Sequence, residues 1–172
     1  EGVWQHLAET RLPDYVAKTL GLALLATVWA IVLAVPAAWV VATYRFRGRS
    51  LINVLLLMPL AVPAYLSAYA YTDLLQFSGP VQSWLRETFG WSRGEYWFPE
   101  MRSVFGAALV LGCSLYPYVF LTARLGFQSH GSYTTEVARS MGVSRLRTVW
   151  QVTLPLSVPA IAAGASLVLM EV

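Results

Sequence analysis

From Thr19 to Tyr44, between Lys18 and Arg45, the chain carries no charged residue. A run of that length is about what a helix needs to cross a hydrocarbon core, which takes some 20 residues. The pattern recurs from Leu51 to Thr72, ended by Asp73, again between Arg102 and Arg124, and from Leu154 to Met170, just before Glu171. Composition points the same way. The chain is 57% hydrophobic and 12% charged, where an average soluble domain has about 25% charged residues. In lipid every backbone amide and carbonyl must be satisfied within its own segment, and nothing here alternates as a barrel strand does, so the spans must be helical. The expected fold class is an all-α integral membrane protein, a multi-spanning bundle of kinked helices. Its spans are expected at about 19–44, 51–72, 103–123 and 154–172.

Prolines recur inside these runs: Pro36, Pro59, Pro63, Pro117, Pro155 and Pro159. Each would cost about 3 kcal/mol in a soluble helix interior. In a bundle, neighbouring helices and water satisfy the freed carbonyls. The small residues from Ala160 to Ser166 suit close helix packing.

Arginine placement sets the expected orientation. The loop Arg45-Phe46-Arg47-Gly48-Arg49 has three positive charges and no acid. The loop after the third span has Arg124, Arg139, Arg145 and Arg147 against Glu136. Both fall on one side, which the positive-inside rule makes cytoplasmic. Residues 1–18 and 73–102, where acids balance bases, then read as periplasmic, and 19–172 as the transmembrane domain. In the outer segment Pro80 can start a helix and Gly90 stop it. The aromatics Trp84, Phe89, Trp91, Tyr96, Trp97 and Phe98 read as headgroup anchors, with partner docking as the other reading.

Several function classes are excluded or weakened. Cys113 is the only cysteine, and His6 and His130 have no ligand-like partner nearby, so no metal site is expected. No P-loop occurs and Lys18 is the only lysine, so the chain is not expected to be an enzyme or to hold a cofactor; any ATP would be bound and hydrolysed by a partner. The net charge of +3 sits beside apolar runs, which argues for membrane topology and against nucleic acid. The chain opens at Glu1 without a signal peptide and stops at Val172 inside an apolar run, as expected of a piece of a longer polypeptide.

The loop 124–153 is the most informative stretch. From Thr135 to Pro155 it reads as two short helices and a turn. Thr134 or Thr135 can cap the first, Glu136 suits its positive N-terminal end, and Gly142 can end it in the left-handed conformation. Ser144 can cap the second, where Leu146, Val149, Trp150 and Thr153 follow helical spacing. Helices this short need something to lie against, either the membrane surface or a partner's groove. Glu136 can also pair locally with Arg139.

Glu136, Ala138, Gly142, Val152, Leu154 and Pro155 resemble the signature loop of importer permeases of the binding-protein-dependent ATP-binding-cassette class. The usual form is Glu-Ala-Ala, three residues, Gly, nine residues, Ile, one residue, Leu-Pro; here Val137 and Val152 depart from it. The resemblance implies the kinked ABC importer permease fold (MetI-like), present in part, in the bacterial inner (cytoplasmic) membrane. It implies that Glu136, Ala138, Arg139, Gly142, Val152, Leu154 and Pro155 form the loop that couples to a separate ABC ATPase subunit. Further partners implied are a periplasmic substrate-binding protein, a second permease half or domain, and the lipid bilayer.

Met58-Pro59-Leu60-Ala61-Val62-Pro63-Ala64-Tyr65, Gly79-Pro80-Val81-Gln82, Tyr96-Trp97-Phe98-Pro99-Glu100 and Leu115-Tyr116-Pro117-Tyr118-Val119 are similar to the ferric-iron permeases of that class, as is Leu169-Met170-Glu171. Ferric iron is therefore the expected cargo, with thiamine, phosphonate, polyamine and sulfate carriers as relatives sharing the pattern. Glu171, an acid within a span, is a candidate pathway residue; tyrosines at span ends read as interface anchors. A secondary transporter would need polar groups near mid-span, which the three complete spans lack.

Overall fold

The structure is a computed structural model that describes residues 11–92 and 94–172; at Ala64 and at residues 130–136, 138, 139, 145 and 146 it describes the backbone alone. His6 and most of the acidic opening segment thus lie outside the described residues. All regular structure among those described is helical.

Helix α1 spans Leu12–Thr43, starting seven residues before the uncharged run and carrying Pro36 inside it. Its buried stripe is Ala23, Ala26, Thr27, Ala30, Ala34, Ala38 and Val41, which recurs every three or four residues. The larger side chains Leu20, Leu24, Val28 and Val32 form an exposed ridge at i, i+4 spacing. Small residues inside and bulky apolar residues outside invert the soluble pattern and suit packing in lipid.

A turn through Gly48 (φ +87°) leads to α2 at Arg49–Leu57, a 3-10 turn at Met58–Ala61 and α3 at Ala64–Leu75. The expected single span over 51–72 is therefore broken, and the prolines break it. Pro59 and Pro63 both lack a donor, and a residue before proline is pushed out of the helical region. Val62 shows this directly, with φ −111° and ψ 129°. At 9 and 12 residues, neither half alone reaches across a bilayer core of about 30 Å. Only as a pair, bent by 103°, does this stretch qualify, beside three unbroken helices that are long and apolar enough.

Helix α4, Pro80–Phe89, starts and stops where the sequence suggests, with Gly90 left-handed at φ +67°. It is stitched to the end of α3. Gln82, buried, donates its amide to the Leu75 carbonyl (2.7 Å) and accepts from the Tyr96 hydroxyl (2.7 Å). Arg86 donates to the Phe77 carbonyl (2.9 Å) and lies over the Phe77 ring. A cavity of about 220 Å³ opens between this stitch and Phe98, Pro99, Glu100 and Met101.

Helix α5, Val104–Ser140, is the central element, and α1 and α7 pack on it. The core is Ala30, Ala34, Ala38 and Val41 of α1 against Leu115, Val119, Phe120, Ala123 and Phe127 of α5, closed by Val168. The last helical stretch comprises α6 at Arg145–Thr148, a π-turn at Val149–Thr153 and α7 at Leu154–Glu171. Gly164 is required where α7 meets α5, since a Cβ there would stand 2.7 Å from the Cα of Val119.

One expectation about 124–153 needs correcting. The first short helix has no start of its own at Thr134 or Thr135, because α5 continues through them without a break. The second leads through the π-turn into α7, with Pro155 in the first turn of that helix, at the entry to the last span. A proline is tolerated in the first turn of a helix, and the wider i→i−5 turn before it, where the Leu154 amide bonds Val149, makes room for its ring.

Candidate functional site

The residues that carry the signature lie around one turn, between the end of α5 and the start of α6. The Met141 amide bonds the Val137 carbonyl (3.2 Å), and Ser140 Oγ donates to the same carbonyl (2.7 Å). Gly142 follows at φ +78°, the left-handed region that side chains other than glycine's rarely adopt. The Ser144 carbonyl then accepts from both the amide (3.0 Å) and the hydroxyl (3.1 Å) of Thr148, which starts the next helix. Arg147 Nε bonds Gln151 Oε1 (3.0 Å) one turn on. Each side of the turn is therefore held by its own helix-end bonds.

Glu136, Ala138 and Arg139 are placed by backbone only, in the last turns of α5; their side chains lie outside those described. Gly142 is exposed, Val152 and Leu154 are half-buried, and Pro155 is exposed at the base of α7. Thus the site residues flank one turn but do not form a single patch: Leu154 and Val152 belong to the seam with α5, while Gly142 is at the tip.

Three apolar side chains stand out at the tip: Met141 is 76% exposed, Trp150 68% and Val137 46%. All three are open to solvent among the described residues. Trp150 is legible from its helical spacing and Val137 as a departure from the signature, but Met141 was not singled out by sequence reasoning. A large apolar residue directly before a helix-ending glycine is the signal that would have found Met141.

Glu171 is exposed and lies deep along the bundle. Gly164 of α7 is level with Val119 of α5, and seven residues of helix carry Glu171 about 10 Å beyond it, to the level of Gly112. Gly112 packs against Ala26 and Trp29 of α1, which lie about 10–15 Å into the uncharged run that starts at Thr19. Glu171 is therefore about a third of the way along that run, which is about 39 Å of helix, where an acid is costly unless it faces a polar partner or water.

The match with a known family covers residues 30–172 and is with the family described as binding-protein-dependent transport system inner membrane component. The chain belongs to that family. Among similar proteins, the molybdenum transport system permease protein ModB of Haemophilus influenzae is 30% identical over 146 residues, 85% of this chain and 61% of the relative. The sulfate transport system permease protein CysT of Escherichia coli is 25% identical, over 95% of this chain and 56% of the relative. The spermidine/putrescine transport system permease protein PotB of Escherichia coli is 28% identical, over 91% and 56%. The chain therefore spans a little over half the length of such relatives. None of the three is named for ferric iron.

Proposed function

We propose that this chain is the membrane-spanning part of an ATP-binding-cassette importer permease, lying in the inner membrane with the Ser140–Ser144 turn in the cytoplasm. A separate ATPase grips that turn and supplies ATP hydrolysis, while a periplasmic binding protein delivers cargo to the opposite face. The observation that carries this reading is the glycine turn with unpacked apolar side chains at the joined ends of two membrane helices, in a chain of this family. In this reading Met141, Val137 and Trp150 fill an apolar groove of the ATPase, and Glu136 and Arg139 bind at its rim. A second permease half completes the pathway and covers part of the apolar surface.

For cargo, the names of the relatives favour a small hydrophilic solute, with a sulfate- or molybdate-type oxyanion first and a polyamine second. Ferric iron rests only on the residue-level likeness of segments such as Leu115-Tyr116-Pro117-Tyr118-Val119. One observation favours a cation over an oxyanion, namely the carboxylate of Glu171 within the apolar run, which would repel a dianion and attract a polyamine or a metal ion.

The test is co-purification of the full-length polypeptide with its ATPase. Binding should be lost on Glu136→Arg and on Gly142→Pro; undiminished binding by both would refute the coupling site. Uptake of radioactive molybdate, sulfate, spermidine and ferric iron into cells with and without the binding protein then identifies the cargo. Uptake that needs no binding protein would count against an importer of this class.

A further inference from the structure

The cavity of about 220 Å³ in the outer segment has a lining that discriminates by charge. Among the described residues, three aromatics, Phe77, Tyr96 and Phe98, line it together with one acid, Glu100. Pro99 and the buried Met101 add apolar surface. On the side of Gly94 it is open, since that residue is exposed and a Cβ built on it meets nothing within 4 Å.

The polar groups around the cavity are unequally engaged. The Tyr96 hydroxyl donates its one hydrogen to Gln82 Oε1 and accepts from Arg86 Nη1 (3.2 Å). Arg86 also bonds the Phe77 carbonyl and Ser83 Oγ (3.1 Å) and covers the Phe77 ring, so this cation is spent on the wall. Glu100 differs. Its carbonyl accepts from Ser103 Oγ (2.6 Å) at the start of α5, but its carboxylate has no hydrogen-bond or ion-pair partner among the described residues. Behind the wall Tyr96 stacks on Trp91, and Trp91 on Phe89 (4.7 Å between centroids). These contacts hold the lining in place before any ligand arrives, which lowers the ordering cost of binding.

An unpaired carboxylate beside aromatic and apolar surface suits an organic cation. Ammonium groups are drawn to aromatic rings and make charge-assisted hydrogen bonds to carboxylates. Apolar walls that exclude water strengthen both. An anion would meet Glu100 as a like charge, and a hard metal ion needs several oxygen ligands where this lining has one carboxylate among the described residues. We infer that this cavity binds the end of a small aliphatic amine, with the ammonium group at Glu100 and the alkyl stem along Phe98, Pro99 and Met101. The inference concerns the outer segment alone and uses neither the coupling turn nor Glu171.

The test is calorimetric titration of the full-length polypeptide, in phosphatidylcholine nanodiscs near neutral pH, with butylamine, putrescine, butanol and butyrate. The two amines should bind, and the alcohol and the acid of the same length should not. Glu100→Gln should weaken amine binding about tenfold, the worth of one charge-assisted hydrogen bond. Phe98→Leu keeps apolar bulk but removes the ring, and should weaken it about threefold. Glu87→Gln, at an exposed position of α4 that does not line the cavity, should match the wild type. Circular dichroism checks that each variant keeps its helix content. Butanol binding as tightly as butylamine, unchanged binding by a folded Glu100→Gln, or no amine binding by the wild type would overturn the inference. Binding that appears only after Arg93→Gln would overturn it too, because the chain's own arginine would then be the occupant. Any of these failures leaves the coupling site and the cargo assays standing, since neither involves this cavity.

Discussion

Gly142 is the residue on which the turn depends most. At φ +78° a β-branched side chain meets its own carbonyl, and the left-handed conformation costs about 1–2 kcal/mol. Gly142→Val should therefore weaken ATPase binding about tenfold, measured by titration of the purified partners, while leaving the helix content intact. Thr153 gives a contrasting case. Its Oγ1 is buried without a partner among the described residues, and an unsatisfied hydroxyl can be replaced by a methyl group without loss. Thr153→Val should keep stability in detergent or raise it by up to about 1 kcal/mol, read as an unchanged or higher thermal midpoint. Gly142 was legible in the sequence because a helix-ending glycine has a local signature. The Thr153 orphan was not, because burial of one hydroxyl depends on which face of the π-turn meets α5.

At the level of helices, periodicity revealed the apolar runs but not their joints. Pro36 and Pro117 remain inside helices, while Pro59 and Pro63, four residues apart, split one run into α2 and α3. A single missing donor is absorbed by the surrounding turns; two at successive turns, the second with Val62 extended before it, are not. The reverse error occurred at Thr134 and Thr135, where good capping residues lie inside α5. Capping residues mark helix starts only where the chain upstream is not already helical, and α5 was. Helix contact makes its own prediction at Gly164. With 2.7 Å from an added Cβ to the Cα of Val119, Gly164→Leu must push α7 off α5. The expected cost is about 1–3 kcal/mol, seen as a lower midpoint in thermal unfolding, with Ser157 and Val168 losing their burial.

Taken whole, the bundle class and the location of the turn were readable from hydropathy and one motif, whereas the depth of Glu171 needed the register of α7 on α5. That register is set by Gly126, against Ser157 and Ala160, and by Gly164, against Val119, glycines whose role in the sequence looks like any small residue's. The fold also predicts how coupling can be broken without breaking binding. A Gly-Gly insertion after Ser129 should leave the turn able to bind the ATPase, yet ATP hydrolysis should no longer respond to the loaded binding protein and uptake should fall to background. Loss of ATPase binding in that variant would mean that the stretch near 130 belongs to the docking surface. The uninterrupted course of α5 from Val104 to Ser140, about 55 Å of helix, has a mechanical corollary. In the proposed importer, with no break in this helix, a displacement at the ATPase end would reach the outer end undiminished, with neither gearing nor slack, so that the amplitude of opening would follow the ATPase's own stroke.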